Sequence, residues 1–162
     1  MHDASDLLLE AVANSAEAGA CSIEATVDLS GGMISIRVED DGSYTLRSDP
    51  FQDGSTTKGE GRGRGLALVK DSCSGRCRLT RGERGTVLEF RREDDGSFDA
   101  LDKALLPIFM EYEGISVTIR KDTREFTLDR DYLEKRDAVP DRAGRIGRFR
   151  AIISSLKGEI YG

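Results

Sequence analysis

The chain has 162 residues and a mass of 17.7 kDa, with 24 Lys plus Arg against 30 Asp plus Glu, a net charge of −6. That length suits one domain, or one domain with a small appendage, and 38% hydrophobic beside 33% charged residues describes a modest core under a heavily charged surface. An acidic chain is a poor non-specific ligand for nucleic acid or membrane, and six Phe, four Tyr and no Trp leave few rings for base stacking. No apolar run approaches the roughly 20 residues of a membrane-spanning helix. The start, Met1-His2-Asp3-Ala4-Ser5-Asp6, lacks the basic stretch of a signal peptide, so a cytoplasmic protein is the expectation. Cys21, Cys73 and Cys77 are too few and odd in number for a disulfide framework. His2 is the one histidine, so a Cys/His zinc site lacks ligands, and Ser-His-Asp and Cys-His catalysis lack a base.

Periodicity predicts a helix over 5–20, with Ser5 as its cap, Leu8, Leu9, Val12, Ala13 and Ala16 on one face, and Gly19 at its end. Ile23, Ala25, Val27 and Leu29 alternate with polar residues, as do Ile34, Ile36 and Val38 after the turn Ser30-Gly31-Gly32, which predicts a hairpin. Residues 39–65 are polar and glycine-rich, too long for an idle turn, and read as a functional loop before a short helix over 66–74. Cys77 with Leu79, and Thr86 with Leu88 and Phe90, mark two strands around Gly82-Glu83-Arg84-Gly85. The polar joint Arg91-Arg92-Glu93-Asp94-Asp95-Gly96 separates an expected domain over 1–94 from a second over 95–162. The second reads as a helix over 98–112 kinked or broken at Pro107, a hairpin across Lys121-Asp122-Thr123, a short helix capped by Asp129, and a last helix over 141–157.

Glu10 and Asn14 lie one helical turn apart, about 40° around the wheel, beside the apolar stripe. Asn offers a neutral oxygen suited to Mg²⁺ and Glu a base for water or a hydroxyl, although the same pair also fits an ordinary amphipathic edge. Asp40, at the end of a strand before Gly42, is placed either for turn chemistry or as a pocket carboxylate accepting from an exocyclic amine. Lys58, then Gly61, Gly63 and Gly65 directly before Leu66, put free backbone N–H groups and basic side chains at a helix start, as an anion requires. The P-loop spacing is absent, and the spacing of Gly61, Gly63 and Gly65 does not meet the dinucleotide fingerprint.

In this order, Glu10 to Asn14, Asp40-Asp41-Gly42, Asp49-Pro50-Phe51 with Ser55-Thr56-Thr57-Lys58, Gly61 to Leu66, and Gly85-Thr86 resemble the boxes of the GHKL (Bergerat-fold) ATPase superfamily. Histidine-kinase-like and MutL-like ATP-binding domains belong to it. The resemblance covers about residues 5–92. The whole-chain pattern also resembles, more loosely, small stand-alone ATP-binding proteins of anaerobic bacteria. The resemblance implies ATP and Mg²⁺ as ligands. Asn14 would ligate the metal, Asp40 would accept from the adenine amine with Thr86 supporting a water, and Gly42 would let the backbone pass the base. Lys58, Gly61, Gly63, Gly65 and Leu66 would hold the phosphates, and Glu10 would be the general base. Tyr44 stands where the first glycine box usually has a second glycine, and only 18 residues separate Gly42 from Gly61, a short lid.

The expected fold is an α/β (α+β) two-layer sandwich, a mostly antiparallel mixed sheet with helices on one face, plus a small α+β C-terminal appendage. The expected function is Mg-dependent ATP binding with slow hydrolysis or phosphotransfer to a partner protein. The alternative is a non-catalytic ATP-sensing module. Residues 97–162 carry no catalytic motif. Arg142, Arg145, Arg148 and Arg150 beside Ile146, Phe149, Ile153 and Leu156 make an amphipathic helix, docked internally or on a second copy.

Overall fold

The computed structural model describes residues 3–42, 77–96, 98, 101–141 and 143–161. Its first element, α1, is Ala4–Glu17, and the cap is Asp3 rather than Ser5: the extended Asp3 accepts from the Asp6 amide at 2.9 Å. The buried stripe already begins at Ala4, so the capping side chain has to precede it, and Ser5 is fully buried inside the first turn. Gly19, at φ 83°, ends the helix as expected.

The hairpin follows as β1, Ile23–Asp28, and β2, Met33–Asp40, with Gly31 and Gly32 both left-handed in the turn. Next come β3, Cys77–Arg81, and β4, Thr86–Glu93, then the helix α2, Leu101–Glu111. Pro107 lies inside α2 and does not end it. The chain continues with β5, Ile115–Lys121, and β6, Arg124–Asp129. Asp129 caps α3, Arg130–Glu134, by accepting from the Tyr132 amide at 2.8 Å, as its sequence position implies. The last helix, α4, is Ala143–Tyr161, which starts and ends later than its expected bounds.

All six strands form one sheet in the order β3-β4-β2-β1-β5-β6. Every neighbouring pair is antiparallel except β1 and β5, which are parallel from Ile23↔Ile115 to Asp28↔Arg120. Strand alternation sends Ile23, Ala25 and Val27, Ile34, Ile36 and Val38, and Ile115, Val117 and Ile119 into the core. There they meet Leu7, Leu8, Ala11 and Val12 of α1 and the buried sides of α2 and α4, with Phe109 and Phe149 tilted at 6.1 Å. The opposite face is polar and paired across strands, Arg78 with Glu89 at 3.2 Å and Arg120 with Glu125 at 2.7 Å. Such exposed pairs add little stability, so the one-sided apolar core holds the sandwich together. This is the expected mixed sheet with helices on one face.

The joint near residue 94 falls inside this single sheet. Residues beyond it supply β5, β6 and three helices of the same core, so α1-β1-β2 and α2-β5-β6 stand side by side with β1 parallel to β5. Among the described residues, no helix is long and apolar enough to cross a membrane.

Candidate functional site

Alternation along β2 turns Asp40 to the same side as Ile34, Ile36 and Val38, but at the strand's end, where the sheet stops. The carboxylate is buried, 2% exposed, and its Oδ1 accepts from the Gly42 amide at 2.8 Å. Thr86, the first residue of β4 and also buried, is its register partner across the antiparallel ladder. Gly42 tucks under the end of α1, where an added Cβ would lie 3.1 Å from the Ala18 carbonyl oxygen and 3.2 Å from its Cβ. The β3–β4 turn closes the other side, with Gly82 N–H donating to Gly85 O at 2.7 Å.

Asp41 points the other way. Its Oδ1 accepts from the amides of Cys21 at 2.8 Å and Ser22 at 3.0 Å, and its own N–H donates to Ser22 O at 3.3 Å. These amides, Ser22 first, hold its carboxyl below the usual carboxylate range, with help from Arg84. Sequence reasoning passed over Asp41 as the middle of Asp-Asp-Gly. The signal available was the preference of Asp for accepting backbone N–H groups beside a turn.

Asn14 is half-buried on α1, and its carbonyl accepts from the N–H of Ala18, the residue that covers Gly42. Glu10 is one turn further away and exposed. Burial raises the Tyr112 phenol above its usual value, and the carboxylates of Glu111, Glu17 and Glu10 act in the same direction, which puts Tyr112 within the electrostatic reach of Glu10. The structure thus brings Asp40, Gly42 and Thr86 into one cluster and sets Asn14 on the adjoining helical turn. It leaves Glu10 on the open side of α1. Lys58, Gly61, Gly63, Gly65 and Leu66 lie outside the described residues.

Among the described residues, no group of three or more His, Cys, Asp or Glu is placed to hold a metal ion. Mg²⁺ keeps several waters and is commonly held by one or two protein oxygens together with substrate phosphates. The neutral Asn14 oxygen suits that mode, and the buried Asp40 carboxylate suits an amine donor.

A family model described as histidine kinase-, DNA gyrase B-, and HSP90-like ATPase matches residues 2–95. Against curated proteins, the sequence has no significant match. Among solved structures, the chain is similar to the Aquifex aeolicus MutL ATPase domain complexed with ADP, with 16% identity and a TM-score of 0.46 over 83% of this chain and 67% of that one. The family match runs from α1 to the end of β4, spans more than half of the chain, and takes in Glu10, Asn14, Asp40, Gly42 and Thr86. The chain therefore belongs to the family of histidine kinase-, DNA gyrase B- and HSP90-like ATPases, and ATP binding comes with that membership.

Proposed function

We propose that the protein binds ATP with Mg²⁺ and turns it over slowly, by hydrolysis or by passing the terminal phosphoryl group to a partner protein. The observation that carries this reading is the buried Asp40 carboxylate, braced by the Gly42 amide and registered against Thr86 at the sheet's end. An adenine amine donates to Asp40, directly and through a water that Thr86 supports. Asn14 supplies the protein oxygen for Mg²⁺, which neutralises phosphate charge. Lys58 and the amides at Gly61, Gly63, Gly65 and Leu66 hold the phosphates. In hydrolysis, Glu10 takes the proton of a water whose oxygen attacks the γ-phosphorus as the bond to the β-γ bridging oxygen breaks, leaving ADP and phosphate.

A second reading, an ATP-sensing module with little turnover, is favoured by the exposure of Glu10 on α1. Calorimetric titration with ATP, with and without Mg²⁺, followed by a phosphate-release assay, separates the two. Binding strengthened by Mg²⁺ with release above blank supports the enzyme. Binding without release leaves the sensor, and no binding removes both.

A further inference from the structure

We infer that Asp41 is a positioning residue for the base-reading acid: by fastening the α1–β1 loop to the exit of β2, it sets the placement of Asp40 and Gly42. The inference rests on the nucleotide-binding reading above. It begins with direction. Neighbouring residues at a strand's end point to opposite sides, so with Asp40 turned into the helix side, Asp41 is turned away from it. There it makes three hydrogen bonds to one dipeptide, Cys21-Ser22, with Oδ1 accepting two amides and the main-chain N–H donating to Ser22 O.

That dipeptide is itself held from the second αββ unit. Ile23 N–H donates to Gly114 O at 2.8 Å, and a Cβ on Gly114 would meet the Cys21 carbonyl oxygen at 1.9 Å. On its other side Asp41 is backed by the β3–β4 turn, where a Cβ on Gly85 would come within 2.9 Å of the Asp41 Cα. The loop from Ala18 to Ser22 therefore grips residues 40–42 at both of its ends, with Ala18 over Gly42 and Cys21-Ser22 on Asp41. Gly42 in turn braces the Asp40 carboxylate. Asp41 is exposed, so its removal loosens this grip without opening the core. A single oxygen, Oδ1, serves both amides, so an Asn side chain preserves the grip with a neutral acceptor, and an Ala side chain abolishes it.

The test compares wild type, Asp41→Asn and Asp41→Ala by calorimetric titration with Mg-ATP and Mg-GTP. Asp41→Ala is expected to weaken ATP binding by about tenfold, the scale of a lost pair of hydrogen bonds, and to narrow the preference for ATP over GTP. Asp41→Asn is expected to keep both the affinity and the preference. A general loss of stability would weaken both nucleotides alike, so the change in preference is the readout of positioning. An Asp41→Ala protein with wild-type affinity and preference overturns the inference. A wild type that binds no nucleotide overturns the function proposed above and this inference with it, and the wild-type titration distinguishes that failure. Should Asp41→Ala not fold, hydrogen exchange on wild type decides: ATP is expected to slow exchange of the Cys21 and Ser22 amides by about tenfold, and unchanged exchange overturns the inference.

Discussion

Gly85 approaches Asp40 so closely that a Cβ on Gly85 would lie 2.3 Å from the Asp40 carbonyl oxygen. The atoms it would strike are main chain, so no rotamer relieves the clash. Gly85→Ala is expected to cost about 1–3 kcal/mol through overpacking and to lower the melting temperature by several degrees. Gly42→Ala, whose nearest contacts are 3.1 and 3.2 Å, is expected to cost less. Thermal melts of the two variants beside wild type check the ranking.

Asp40→Asn exchanges a pure acceptor for a group that also donates. The expected result is loss of selectivity for ATP over GTP, by about tenfold or more for a hydrogen bond to a charged group. Competition titrations with the two nucleotides measure it. Retained selectivity would mean that adenine is read elsewhere.

Asn14→Ala removes the one protein oxygen assigned to Mg²⁺. The gain in ATP affinity on adding Mg²⁺ is expected to disappear, with metal-free binding little changed. Titrations with and without the metal report the difference, and a variant that still responds to Mg²⁺ rules out the assignment.

Glu10→Ala keeps the site's shape and removes the base. ATP binding is expected to persist, with phosphate release falling about a hundredfold, within the usual contribution of a general base. Turnover that survives the change would assign the base elsewhere.

Acid stability carries a further signature. The folded pKa of Asp41 lies below its ordinary value of 3.8, held down chiefly by the Ser22 and Cys21 amides. Its contribution is therefore fully present above that value and fades as pH falls through the folded pKa. Between about pH 5 and about pH 3, Asp41→Asn is expected to lose less stability than wild type, as read by urea melts at each pH. Lys103 behaves oppositely. Its pairing with Asp3 raises its pKa above 10.5, so that contribution holds below this value and is lost as pH rises through the folded pKa.

Much of the fold was legible in local patterns. The alternations at Ile23 to Val27, Ile34 to Val38 and Thr86 to Phe90 became strands at those positions, and Asp129 capped its helix, because side-chain period and capping chemistry act over a few residues. The parallel pairing of β1 with β5 was not legible, since nothing in either strand alone names a partner some 90 residues away. The cap at Asp3 was missed because the apolar stripe starts earlier than the most obvious leucines. For the site, Asp40 stood out from its position at a strand end before Gly42, Thr86 entered through the resemblance to the closing Gly-Thr box, and the ladder registers the two together. The Asp41 grip escaped notice, because its partners Cys21 and Ser22 carry no motif and contribute only main-chain amides.

The parallel seam between β1 and β5 bears on any attempt to work with the family-matched residues by themselves. Cutting the chain after residue 95 would strip β1 of its neighbour along the whole stretch from Ile23 to Asp28 and remove the helix beside α1. The truncated piece would present an unzipped strand rim and a bared oily flank, and its preferred remedy would be to stick to its own kind.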